Sequence, residues 1–463
     1  MRRYIGGLRK MFWVLAAVAL VLSNHSVCRQ APEHKVKNVI LMISDGCGYN
    51  HVDAASIYQY GKTGAQPYEQ FGVKLAMSTY LHGQSYMPGL VWTDFNCISK
   101  SGNYTDSAAA ATAISTGVKT YKKAIGIGPK ESPVKHIIEL AEQRGKATGV
   151  VTSVQLSHAT PAGFVAHNKS RDNYEQIAKE MIYQSALEVI MGCGHPEYDN
   201  DGKPAKKKEY KYVGGEDTWD DLKDGSVTGA DADGDGGPDE WTVIHKPEDF
   251  RATIQGPAPK RVIGIPTKHL TLQQERSGDG KAEPFEVPYN GDVPTLAEMA
   301  GAALNVLDDD PDGFFLMIEG GAVDWASHDH QSGRVIEEEI EFNKAVEAVL
   351  KWVEKNSSWQ ETLVIVTGDH ECGYLTGPKS GTFGNKPVWN PLVNRGARKT
   401  PGMEWHSKKH TNALIPFYAK GPGSQLFRQQ ATNHDPVRGP YLDNTCIAKI
   451  IFSLFAQHDP TLN

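Results

Sequence analysis

The chain is poor in cysteine. Six are spread over 463 residues, at positions 28, 47, 97, 193, 372 and 446, with no Cys-x-x-Cys pair and no compact spacing. That excludes a small disulfide-stapled scaffold. A chain of this length does not need covalent staples, so few or none of the cysteines are expected to pair. A membrane-spanning run is also missing: residues 11–22 are apolar, but twelve residues are too few to cross a bilayer comfortably. No basic cluster stands out against a formal net charge of −7, which argues against nucleic acid as a partner. No internal repeat is visible, so a solenoid or an array is not expected.

The N-terminus is the one segment that looks addressed. Arg2, Arg3, Arg9 and Lys10 precede the apolar run, and small polar residues follow it. This order describes a secretory signal over residues 1–28, cleaved after Ser23 or Ser26. The protein is then expected to be periplasmic or secreted, with a mature charge of −11, because four basic and no acidic residues leave. Cys28 raises a lipid anchor as the lesser alternative. It lacks the expected apolar residue three positions earlier, where His25 stands.

Residues 29–463 read as one α/β/α domain with three layers and a mostly parallel central sheet. Apolar β-rich runs at 37–43, 147–152, 314–318, 363–367 and 414–419 alternate with helical patterns at 106–115, 134–144, 173–184, 295–306 and 334–354. Two segments look like surface insertions: 199–260, rich in Gly, Asp, Lys and Pro, and 376–409, which has no clear periodicity. In such sheets the site lies at the carboxyl ends of the strands. Those ends carry Ser44-Asp45-Gly46, His158-Ala159-Thr160, Glu319-Gly320-Gly321 and Gly368-Asp369-His370. One polar residue at a strand end means little. Metal-competent residues at several sequence-distant ends are harder to dismiss.

Thr105-Asp106-Ser107 precedes an alanine-rich stretch from Ala108. Alanine favours helix, and Asp or Ser ahead of it suits an N-cap. The mouth of a helix also attracts anions, so Ser107 is either a plain cap or a nucleophile toward a phosphate. Asp324-Trp325-Ala326-Ser327-His328 puts a carboxylate and an imidazole at i and i+4, on one face of a helical turn. Asp369-His370 and His410 could add ligands where the chain aims them at one centre. Read alone, His410 is more simply a structural histidine and Arg171 a surface residue.

Taken in order, Asp45-Gly-Cys-Gly, Thr105-Asp106-Ser107-Ala108, Thr160-Pro-Ala with Ser170-Arg171, Glu319-Gly-Gly through Asp324 and His328, Asp369-His370 and His410 resemble the motifs of bacterial alkaline phosphatases. The resemblance runs from about residue 37 onward, broken by the two insertions. It implies a phosphomonoesterase with two Zn2+ ions, one Mg2+ and a phosphoseryl intermediate on Ser107. Asp324, His328 and His410 match the ligands of the first zinc. Asp369, His370 and Asp45 match those of the second, and Asp45, Thr160 and Glu319 match the magnesium site. Arg171 matches the residue that clamps two phosphate oxygens, with Asp106 as its positioner. A homodimer is implied as well. The chemistry is consistent: zinc accepts N and O ligands, magnesium prefers oxygen, and two ions can stabilise the attacking and leaving oxygens of an in-line displacement. A guanidinium suits bidentate phosphate better than an ammonium.

Two positions vary within that family. His158 and Trp325 stand where enterobacterial members have Asp and Lys, and the His/Trp pair resembles some marine bacterial members. Without the Lys charge, phosphate should be released more readily. Sulfatases, a rival reading, require a [CS]-x-P-x-R context, which Ser107-Ala108-Ala109-Ala110-Ala111 lacks. Asp231, Asp233, Asp235 and Asp239 form a candidate calcium loop, with Thr242 where an EF-hand has Glu. A solvated acidic loop is the alternative. Cys47 and Cys372, each two residues beyond an expected ligand, read as small packing residues.

Overall fold

The computed structural model describes residues 36–456, apart from 101, 228–229 and 233–235. The expected leader 1–28, Cys28, and Asp233 and Asp235 of the acidic loop lie outside the described residues. Eleven strands form one sheet: β1 (Asn38–Ser44), β2 (Val73–Ser78), β3 (Ala147–Gln155), β4 (Val189–Cys193), β5 (Thr242–Ile244), β6 (Val262–Gly264), β7 (Phe314–Gly320), β8 (Thr362–Gly368), β9 (Ile415–Lys420), β10 (Asn433–Asp435) and β11 (Gly439–Asp443). Their order is β10-β11-β2-β9-β8-β1-β7-β3-β4-β6-β5. The run β8-β1-β7-β3-β4-β6-β5 is parallel throughout. β9 is antiparallel to both of its neighbours, β8 and β2. The architecture is therefore the expected mainly parallel sheet covered by helices.

The central strands explain this by composition. Asn38–Ser44 is buried along its whole length, as a strand covered on both faces must be. Val39, Leu41 and Ile43 point into one core, with Phe315, Met317, Leu363 and Ile365. Ile40 and Met42 point into the other, with Phe314, Leu316, Val364 and Val366. Fully burying each such side chain contributes about 1.5–3 kcal/mol. Helices Ser107–Thr116, Ile137–Glu142, Ala159–Val165, Tyr174–Tyr183 and Cys446–Ala456 cover the first face. Pro247–Gln255, Leu296–Leu307 and Ser332–Asn356 cover the second.

The segment expected as the first insertion does more than decorate the surface. Within 199–260, Thr242–Ile244 supplies the edge strand of the sheet, paired with β6, and Phe250 of the helix that follows β5 is fully buried. In 376–409 the ordered pieces are short strand pairs outside the main sheet, such as Gly381–Phe383 with Lys386–Val388. The described cysteines, Cys47, Cys97, Cys193, Cys372 and Cys446, are all free. Among the described residues no helix is long and apolar enough to cross a membrane.

Candidate metal centre and active site

β1 delivers Asp45 at its carboxyl end, tied by its own N–H to Gly320 O at 3.1 Å. Gly46 then turns with φ +73°, and a Cβ there would lie 2.7 Å from the Asp324 Cα. Only glycine tolerates both that backbone and that approach. β7 brings Glu319, β8 leads into Asp369 and His370, and helix Ala159–Val165 after β3 brings Thr160. Asp45, Thr160, Glu319, Asp369 and His370 are all fully buried.

Three groupings emerge. Asp324 faces His328 Nε2 through Oδ2 and His410 Nε2 through Oδ1, both at 3.3 Å. His328 Nδ1–H donates to Lys408 O at 2.6 Å, and His410 Nδ1–H donates to Thr105 O at 2.9 Å. Those carbonyls fix the tautomer, so both Nε2 lone pairs point at the same place, as metal-binding imidazoles require. In the second grouping His370 Nε2 stands 3.5 Å from Asp45 Oδ1 and 3.2 Å from Asp369 Oδ2. In the third, Asp45 and Glu319 approach each other beside His158. Thr152 Oγ holds the Glu319 Oε2.

Buried polar atoms are left over. Asp45 Oδ2, Thr160 Oγ1, Glu319 Oε1 and Asp369 Oδ2 have no hydrogen-bond partner, which is costly unless a cation satisfies them. Electrostatics points the same way. Burial, then the neighbouring Asp369, Asp324 and Glu319 carboxylates, push the Asp45 carboxyl far above its usual range. Burial lifts Glu319 to about 7 and Asp369 to about 6. Burial opposes charge on His328, yet Asp324 beside it raises its pKa to about 9. The cluster demands positive charge. Its N and O donors suit zinc around Asp324 and His370, and the all-oxygen set of Asp45, Thr160 and Glu319 suits magnesium.

Ser107 opens helix Ser107–Thr116, and Asp106 is its N-cap, accepting from Ala109 N at 3.2 Å. Ser107 Oγ lies 3.2 Å from His370 Nε2 and 3.5 Å from Asp45 Oδ1. Asp106 also accepts from Lys123 N and stands 3.4 Å from Arg171 Nη1. On its other side the guanidinium donates from Nη2 to His158 Nε2 at 3.0 Å. Burial and the adjacent Arg171 lower the His158 pKa to about 3, so this ring accepts as a neutral base. Ser107, Arg171, His158, Trp325, His328 and His410 line an open cleft of about 340 Å³.

The residues expected at the metal and phosphate positions thus converge; of the separate acidic loop only Asp231 and Asp239 are described. There Asp239 is buried and faces Lys260 Nζ at 3.4 Å, while exposed Asp231 accepts from Gly236 N. Sequence reasoning overlooked Glu275, which lines the cleft. Cys372, read from the sequence as a packing residue, is buried, and its thiol lies within 4.8 Å of the candidate ligand atoms of Asp324, His328 and His410.

A mainly parallel sheet with a helix-mouth serine, a guanidinium and a buried carboxylate–imidazole cluster at its strand ends defines a metal-binding hydrolase. The family described as alkaline phosphatase matches residues 36–397, and the chain belongs to that family of phosphomonoester hydrolases. Alkaline phosphatase 3 of Bacillus subtilis is 30% identical, over 92% of this chain and 90% of its own length. Alkaline phosphatase of Escherichia coli K12 is 29% identical, over 83% and 81%. Among solved structures, alkaline phosphatase from the Antarctic bacterium TAB5 superposes with a TM-score of 0.62 at 27% identity, covering 92% of this chain and all of that one.

Proposed function

We propose that the chain is an exported alkaline phosphatase that works through a phosphoseryl intermediate on Ser107. Asp324, His328 and His410 would hold one zinc, Asp45, Asp369 and His370 a second, and Asp45, Thr160 and Glu319 a magnesium. A variant of the TAB5 enzyme carries Mg in the site called M3, which supports a third cation position here. Bound there, the ions would supply Lewis acidity for the serine, leaving-group and water oxygens, so no histidine base is needed.

Arg171 binds two phosphate oxygens, its plane held between Asp106 and His158. Ser107 Oγ, its proton given up to solvent, attacks phosphorus, forming an Oγ–P bond as the ester P–O bond breaks, and the alkoxide departs and takes a proton from water. Water then attacks the phosphoserine from the same cleft. The P–Oγ bond breaks, phosphate leaves and the serine is restored. The helix mouth adds partial positive charge near the phosphoryl group. His158, neutral, orients Arg171 without carrying a proton, and Trp325 shapes the rim beside it, its ring 5.8 Å from that of His158.

The observation that carries this reading is the approach of Ser107 Oγ to both His370 and Asp45 at a helix N-terminus. The test is aryl phosphate hydrolysis before and after chelation, with zinc and magnesium returned, in wild type and Ser107→Ala. Activity should vanish on chelation and return with the metals, and acid-quenched wild type should carry phosphate on Ser107. Full chelator-resistant activity, or an undiminished Ser107→Ala enzyme, would reject the mechanism. Export to the periplasm or medium through residues 1–28 and a homodimeric state complete the proposal. Fractionation and sedimentation test these separately.

A further inference from the structure

A second group of metal-competent side chains lies apart from Ser107. His136, Glu139 and His167 each bring one ligand atom within 4.8 Å of the others. The His136 side chain has no exposed surface, and neither of its ring nitrogens finds an aligned hydrogen-bond partner. Its Nδ1 nevertheless stands 3.2 Å from Glu139 Oε2. Burial lowers the His136 pKa, so the ring is neutral and keeps a lone pair.

His167 completes the group. Its ring centroid is 4.3 Å from that of His136. Nε2 lies 3.9 Å from Glu139 Oε2, and its N–H donates to Val134 O at 3.2 Å, a proton that a bound cation would replace. On the far side Nδ1 faces Glu180 Oε1 at 3.5 Å. A carboxylate behind an imidazole is the arrangement that sets the tautomer of a metal-binding histidine. Ligands about 2.0–2.1 Å from one tetrahedral ion stand roughly 3.3 Å apart. The observed 3.2 and 3.9 Å separations are close to that spacing and need only small side-chain movements.

We propose that His136 Nδ1, Glu139 Oε2 and His167 Nε2 form a structural site for a zinc-like divalent cation, with the Val134 carbonyl oxygen at its open side. Two imidazoles and one carboxylate match zinc, whereas magnesium and calcium favour all-oxygen shells. The cation joins residues 134–139 to His167, which borders a strip that backbone bonds already pair with residues 123–125. Ile125 and Asn168 exchange N–H···O bonds at 2.9 and 2.8 Å, and Arg171 N donates to Lys123 O at 2.8 Å. The site therefore pins the strip that carries the Arg171 backbone. Gly126 belongs to this design: its φ is +58°, and a Cβ would meet Ala166 O at 2.2 Å and His136 Nε2 at 2.4 Å.

The test uses the purified enzyme with its catalytic metals. Zinc per chain is measured by mass spectrometry in wild type, His167→Gln and Glu139→Gln, and crystals of wild type are examined by anomalous scattering at the zinc edge. Each variant should lose one zinc equivalent per chain relative to wild type, and a peak should lie between His136, Glu139 and His167. Equal zinc content in wild type and both variants, or no peak there while the peaks around Asp324 and His370 are present, overturns the proposal. The difference between wild type and variants does not depend on how many ions the Ser107 centre holds.

Discussion

At the scale of single residues, the cleft is governed by what stands beside Arg171. The guanidinium, partly exposed, is held between Asp106 and His158, and Trp325 adds bulk but no charge. A lysine in place of Trp325 would bring an ammonium to the same cleft. Charge-assisted hydrogen bonds contribute about 1.5–3 kcal/mol, so Trp325→Lys should lower the inhibition constant for phosphate roughly tenfold or more. Turnover should fall where product release limits it. Steady-state inhibition by phosphate reads this directly, and an unchanged constant would refute the role given to position 325. Asp45, Glu319, Asp369 and His370 were legible as candidates because they follow apolar strand runs, whereas Ser107, Arg171 and His410 stood out only through the order of the motifs that resemble the family. Glu275 was not legible, because nothing local distinguishes a cleft-lining carboxylate from any other loop residue.

At the scale of elements, the site depends on how closely helix Ser107–Thr116 approaches helix Ala159–Val165, since the first carries Ser107 and the second Thr160. Gly163 permits that approach, because a Cβ there would fall 2.6 Å from the Ala111 Cβ. Gly163→Ala sets two effects against each other. Helix propensity favours alanine by about 1 kcal/mol, while overpacking costs about 1–3 kcal/mol. At 2.6 Å the overlap is with a Cβ fixed to a helix backbone, so the clash should win. The variant is expected to melt earlier and to lose activity, as Ser107 and Thr160 are forced apart. A melting temperature equal to or above wild type would show that the close approach is dispensable. The five strands and five helices read from patterning lie within a few residues of observed elements, but six of the eleven sheet strands were not picked out. One of them is Thr242–Ile244, because a three-residue edge strand carries too little periodicity to register.

At the scale of the whole molecule, charge buried far from the site sets how the fold responds to pH. Glu188 precedes β4 near the amino ends of the strands. It is 7% exposed and accepts from Thr148 N at 2.6 Å. Burial raises its pKa to about 8 from the usual 4.5, although the Thr148 bond opposes the shift. Between those values the folded state holds a proton that the unfolded chain has released. Stability from this group is therefore fully present below pH 4.5 and is lost progressively as pH rises to about 8. Glu188→Gln should remove that loss, on the order of a few kcal/mol at alkaline pH, and leave the chemistry at Ser107 intact. Thermal unfolding across pH checks it. Parallel curves for wild type and variant would exclude Glu188 as the source.

The sequence by itself determined the layered α/β class, because burial on both faces of a sheet leaves local marks in composition, and it pointed to the family through the order of its motifs. Only the tertiary structure decided which imidazole nitrogens face inward, that Asp106 and His158 hold Arg171 from two sides, and that the His136 and His167 rings lie against each other. Those relations join residues 13 to 305 positions apart. Distances of 3 Å between such residues are set by packing, and no local preference encodes them.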